Sequence, residues 1–299
     1  MMAVPVLSAE EIRRERARIW ATVPRKGTGV EVVLLSVFGD ESADGKQARV
    51  FAVAGVVGNE PEWQDAESLW LERTGGEVIH ATDCEHEKRF DLYNDLTQII
   101  AKSRLRVFGS ALDLMAVKEF FPGHLDIGYF HCFVRVVEWM VDNEANRLNE
   151  AIEFTFHNRK GTEYNAGKLY DVLINTPGWE ASIFMRNKIS FANQESPRIQ
   201  MADLVARETM KALDHDLQGK PQRDSMLAIF GREKRGIIRV FGRDQLSELR
   251  DFTDGEISTS LHGDYISWLN KNSRRDNISN RTLFMEVINN LILNPEKTP

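Results

Sequence analysis

The chain has only two cysteines, Cys84 and Cys132, in 299 residues. A single bridge in a chain this long is no framework, which excludes the disulfide-stapled secreted class and points to a reducing cytoplasm. No apolar run approaches membrane-spanning length, and Met1 to Ser8 lacks the basic stretch and apolar run of a signal peptide. Neither a membrane protein nor an exported one is expected. Basic residues are in the minority: 38 Lys and Arg stand against 45 Asp and Glu, a net charge of −7. A protein that coats nucleic acid by neutralising phosphates is usually basic, so that class is disfavoured. A nuclease is not, because a metal site gathers carboxylates and the ions reverse the local field. There is no G-x-x-x-x-G-K-[ST] loop and no G-x-S-x-G elbow, which argues against P-loop nucleotide binding and that class of serine hydrolase. No repeat of solenoid period is present.

Hydrophobic residues make up 42% and charged residues 28%, enough for a packed core. Ser8-Ala9-Glu10-Glu11 fits a capping box for a helix to about Trp20, and 24–29 breaks the chain. Val32 to Phe38 reads as a strand buried on both faces. Asp44-Gly45 predicts a hairpin turn into a second strand, Arg49 to Val57. Pro61 suits the start of a helix carrying Trp63, Ala66, Leu69 and Trp70. Glu77 to Ala81 is short and extended. Thr82 or Asp83 can cap the next helix, with Phe90, Tyr93, Leu96 and Ile100 at helical spacing. Leu105 to Leu112 predicts a third strand and Tyr129 to Val141 a helix. Ile152, Phe154 and Phe156 alternate as in a half-buried strand. A helix around Leu169, a strand over Ile183 to Phe191 and a helix over Arg198 to Leu213 follow. Gly219 and Pro221 mark a boundary. The division is a helical extension over 1–29, a core over 30–216 and a C-terminal appendage over 217–299, holding a strand-like Ile237 to Phe241, a weak helix from Gln245 and a terminal helix near Leu283 to Leu293.

Two segments carry the candidate chemistry. Phe38-Gly39-Asp40-Glu41-Ser42 puts carboxylates at the end of an apolar strand, where an ionised group is costly unless a cation or hydrogen bonds satisfy it. Alternation places Asp40 on the face of Phe38 and Glu41 on the opposite one. The plainer alternative is that Asp40 opens a turn. In the second segment, Gln200 and Asp203 interrupt an apolar helix face three residues apart and so share one side. There, an amphipathic boundary position or a buried cap is the plainer alternative.

The ordered set Asp40-Glu41-Ser42, the strand Phe51 to Val57, Glu77-Val78-Ile79-His80 and Gln200-Met201-Ala202-Asp203 resembles the bacterial and phage domain-of-unknown-function family 3800. The resemblance covers roughly Val32 to His215 and leaves both ends outside. It implies an α/β, ribonuclease H-like mixed sheet flanked by helices, with a strand-borne Asp facing a helix-borne Asp. It also implies nuclease chemistry with two Mg²⁺ or Mn²⁺ ions about 4 Å apart. Asp40 and Asp203 would be ligands, Glu41 or Asp83 would complete the set, and Glu41 or His80 would support the water or the scissile phosphate. The chain departs from such enzymes at Ile152 to Asn158, where no Asp ends the strand. His157 stands there instead, as a Mn²⁺ ligand or base, or as a structural residue.

His80, Asp83, Cys84 and His86 lie within seven residues, but their spacing fits no standard zinc site. Arg232, Lys234, Arg235, Arg239 and Arg243, and separately Arg274, Arg275 and Arg281, form basic patches. These suit either phosphate contacts or a solvated surface. The expected function is a metal-dependent nuclease on a nucleic acid substrate in phage–host or mobile-element biology. The alternatives are an inactive scaffold that binds a protein or nucleic acid, and a hydrolase of small phosphate esters.

Overall fold

The structure is a computed structural model and describes residues 9–22, 34–44, 49–120, 126–158, 163–174, 180–231 and 235–244. Ser8, the break at 24–29, Gly45, the basic residues 232, 234, 274, 275 and 281, and the expected helices beyond 244 lie outside them.

The centre of the molecule is a six-stranded mixed sheet flanked by helices. Its strands are β1 (Leu34–Ala43), β2 (Val50–Gly58), β3 (Arg106–Asp113), β4 (Ala151–His157), β5 (Ser190–Ala192) and β6 (Gly236–Phe241). Their order across the sheet is β5-β4-β1-β2-β3-β6. β1, β2 and β3 form an antiparallel meander, whereas β4 runs parallel to β1, β5 to β4 and β6 to β3. β2 is buried at all nine positions, as its unbroken apolar run requires of a strand covered on both faces. The turn into β2 is set by Asp44, whose Oδ1 accepts from the N–H groups of Arg49 at 2.9 Å and Val50 at 3.2 Å.

The helices are α1 (Ala9–Thr22), α2 (Glu60–Thr74), α3 (Ala81–His86), α4 (Phe90–Lys102), α5 (Leu114–Phe120), α6 (Asp126–Met140), α7 (Asn146–Leu148), α8 (Glu163–Ile174), α9 (Pro197–Leu217) and α10 (Asp224–Phe230). One core gathers α6 and α8 on a sheet face with Leu35, Val37, Phe154 and Phe156. The other gathers α2, α4, α9 and α10 on the opposite face with Ala54, Val56 and Val107. α2 opens with a capping box, Asn59 accepting from the Glu62 N–H while Glu62 accepts from the Asn59 N–H, both at 3.0 Å. Pro61 sits in its first turn, and Gly75 closes it at φ 64°, a left-handed conformation that costs glycine nothing.

Five expectations need correction. The helix expected from Thr82 onward is two: α3 ends at His86, Lys88 takes a positive φ of 59°, and α4 starts at Phe90. His80, not Thr82 or Asp83, occupies the position before α3. Leu69 faces outward, 51% exposed, while Trp63, Ala66 and Trp70 are buried. The strand expected over Ile183 to Phe191 shrinks to Ser190–Ala192, with a 3-10 turn at Glu180–Phe184. The boundary at 216/217 cuts the last turn of α9. Beyond it, α10 buries Met226, Ile229 and Phe230, and β6 completes the central sheet instead of joining a separate appendage.

Candidate functional site

β1 and β4 are parallel neighbours, so their carboxyl ends lie together. Gly39 pairs with Phe156, which brings the next residues, Asp40 and His157, side by side. Nδ1 of His157 is 3.3 Å from Oδ1 of Asp40. Alternation turns Asp40 to the Phe38 face. Phe38 packs there on Trp63 of α2, and Asp40 lies close enough to Asp203 of α9 for the two carboxylates to repel. Glu41 is one residue on; its charge adds to burial in raising the Tyr129 hydroxyl on α6. Its N–H donates to Oδ1 of Asp40 at 2.7 Å.

Asp203 reaches toward the extended 77–80 segment. Its Oδ2 accepts from the N–H of Ala81 at 2.9 Å and from Nε2 of Gln194 at 3.2 Å. Nδ1 of His80 is 3.7 Å from the same oxygen, an ion-pair distance beyond hydrogen-bond length. The structure therefore brings together Asp40, Asp203, His80 and His157 as two Asp–His pairs. Asp83 is exposed on α3; it is near enough to act on His80 through space. Cys84 is buried in the core while Asp83 and His86 are exposed, so that quartet does not converge.

Burial governs the charges. Asp40 is 4% exposed, and loss of water raises its carboxyl above the ordinary 3.8; Asp203 pushes the same way and the His157 contact opposes. The bond to Asp40 raises the His157 imidazole above 6.5 against its partial burial. Asp203 does the same for His80. Protein hydrogen bonds among the described residues use Oδ1 of Asp40 and Oδ2 of Asp203. The second oxygen of each receives none there.

Paired carboxylates are the donors that hard divalent cations prefer, and Mg²⁺ is commonly held by one or two carboxylates plus water and substrate phosphate. The donor chemistry fits such an ion. Among the described residues, no group of three or more His, Cys, Asp or Glu side chains is arranged to hold one.

Gln194 was not singled out in the sequence. It lies in the polar stretch Asn193 to Ser196, which reads as a solvated turn, and nothing in its local pattern marks it. The charges around α3 were also missed: Glu85 pairs with Arg207 and with Arg223, and Arg223 stacks over Tyr93. Of the expected basic patch, Arg243 pairs with Glu119 and Arg235 donates to the Ser103 carbonyl.

Comparison with family models, curated proteins and solved structures finds no match for this chain. Among the described residues no helix is long and apolar enough to cross a membrane.

Proposed function

We propose that this chain is a metal-dependent phosphodiesterase acting on nucleic acid, a ribonuclease H-like member of the family named above. The observation that carries the proposal is Asp40. It is an almost wholly buried carboxylate at the end of a central strand, set against a second carboxylate, Asp203, on a packed helix. Like charges gathered in a dry site raise the cost of ionisation, and a divalent cation is the usual remedy. Asp40 and Asp203 would hold the ion through the oxygens their protein contacts leave open. When bound, it neutralises phosphate charge and lowers the pKa of a water. The chain's own residues do the rest. His157 and Glu41 N–H orient Asp40, Ala81 N–H and Gln194 orient Asp203, and His80 stands at the rim, 46% exposed, where it can hold or release a proton beside a phosphate. Two buried, unbonded cysteines suit a reducing compartment.

A binding scaffold is the second function to test. It is favoured by one observation: Asp203 already serves as an acceptor for the first N–H of α3, the role of a helix cap. Titration calorimetry with Mn²⁺ separates the two. The wild type should bind with measurable heat, and Asp40→Asn and Asp203→Asn should bind none while still melting cooperatively. Absence of heat in the wild type, alone and with a nucleic acid oligomer present, would leave the scaffold. Retained Mn²⁺ binding by a destabilised Asp203→Asn would assign that residue to structure.

A further inference from the structure

Ile79 is buried and belongs to no sheet, yet both its backbone polar groups are satisfied. Its N–H donates to Oε1 of Gln200 at 3.1 Å, and its carbonyl accepts from Nε2 of Gln194 at 3.1 Å. Gln200 in turn donates through Nε2 to the backbone carbonyl of Gln194 at 3.0 Å. The three bonds close a ring in which two glutamine side chains take the place of a neighbouring strand. The ring is anchored from one side by Trp70, whose Nε1 donates to Oε1 of Gln200 at 3.0 Å. It is joined to the site on the other, because Nε2 of Gln194 also donates to Oδ2 of Asp203.

The amide orientation of Gln194 is dictated by its partners. Nε2 meets two acceptors; the reverse orientation would set a carbonyl oxygen against a carbonyl and a carboxylate. Oε1 of Gln194 is left buried without a hydrogen-bond partner among the described residues. An apolar side chain of the same volume would leave the Ile79 carbonyl and Asp203 Oδ2 each short of a donor. The donor is what the position requires.

We propose that Gln194, with Gln200, is a positioning residue that sets His80 and Asp203 against each other, an inference that rests on the function proposed above. One nitrogen of Gln194 fixes the residue preceding His80 and the carboxylate facing it. Asp203 completes the link by accepting from Ala81, the residue after His80. The backbone on both sides of His80 is thus tied to the side chain that its imidazole faces. Without the Gln194 donor, the Ile79 carbonyl and Asp203 Oδ2 each lose a partner, and the 77–80 segment is held to α9 only through the Ile79 and Ala81 N–H groups.

The test is NMR of the metal-free full chain, reading the imidazole resonances of His80 and His157 in the wild type and in Gln194→Met. Methionine keeps the length and loses the donor. The His80 ring signals should move toward those of a solvated histidine while His157 signals stay. Amide exchange at Ile79 and Ala81 should quicken roughly tenfold, the size of one lost buried hydrogen bond. A folded Gln194→Met with unchanged His80 signals overturns the proposal. If that variant does not fold, wild-type exchange decides: protection of Ile79 and Ala81 equal to the neighbouring core supports the ring, and exchange as fast as an exposed loop overturns it. Mn²⁺ titration is read separately. No binding by the wild type, alone and with a nucleic acid oligomer present, removes the proposed function and leaves the His80 result standing.

Discussion

Asp40 and Glu138 both place an ionisable group in the dry interior, and each has a measurable consequence. For Asp40 the burial and the nearby Asp203 both oppose ionisation, and only His157 and one N–H favour it. Asp40→Asn keeps an acceptor for that N–H and removes the repulsion. It should stabilise the metal-free protein at neutral pH by about 1 kcal/mol, as functional-site charges often cost stability. A lower urea midpoint instead would show that the His157 pair outweighs the repulsion. Glu138 on α6 is buried beside Arg135, 3.3 Å away, and burial pushes its carboxyl up to about 7 from an ordinary 4.5. The folded state then binds the proton more tightly than the unfolded one. Its contribution is greatest below pH 4.5 and is lost as pH rises to about 7, a fall of about 3 kcal/mol. Urea midpoints across that interval should fall in the wild type and flatten in Glu138→Gln.

α9 organises the site through one polar stripe, Gln200, Asp203 and Arg207, spaced so that all three face the 77–86 segment. Asp203 holds the start of α3, and Arg207 holds Glu85 further along it. Removing a largely buried partner strands the remaining charges, so Glu85→Ala should lower stability by about 3 kcal/mol in urea unfolding. Exposed pairs such as Arg14–Glu10 should show almost nothing when removed. β1 has its own constraint at Gly39, where an added Cβ would lie 2.5 Å from the Phe156 ring. Gly39→Ala should cost about 1–3 kcal/mol by overpacking. Because Phe156 precedes His157, the same change should shift the His157 imidazole signals. The apolar stripe of α9 and the carboxylates within it were legible from spacing. The partners of Asp203 and Arg207 were not, since Gln194, Ala81 and Glu85 come from elements whose mutual docking no local pattern encodes.

At the scale of the whole molecule, the sheet does not end where the sequence suggests. Polar 214–224 reads as a linker, yet Asp214 is buried and pairs with Arg49, and the chain returns through α10 to lay β6 beside β3. A chain ended after Leu217 loses Met226, Ile229 and Phe230 from the core and leaves the β3 edge unpaired. It should show no cooperative melt by circular dichroism. A sharp transition in that truncation would make α10 and β6 dispensable.

By itself the sequence determined the α/β class, the strands β1 to β4, the helical character of α2, α6 and α9, and the placing of Asp40 and Asp203 on polar interruptions of apolar elements. These follow from periodicity, capping and turn chemistry, which act over a few residues. Only the tertiary structure decided that His157 meets Asp40, that His80 meets Asp203, and that β6 closes the sheet. Those contacts join residues far apart in the chain, and their geometry is set by sheet order and helix docking. His157 marks the divide: in sequence it is the first residue of a polar run at a strand end, and the parallel pairing of β1 with β4 sets it against a carboxylate.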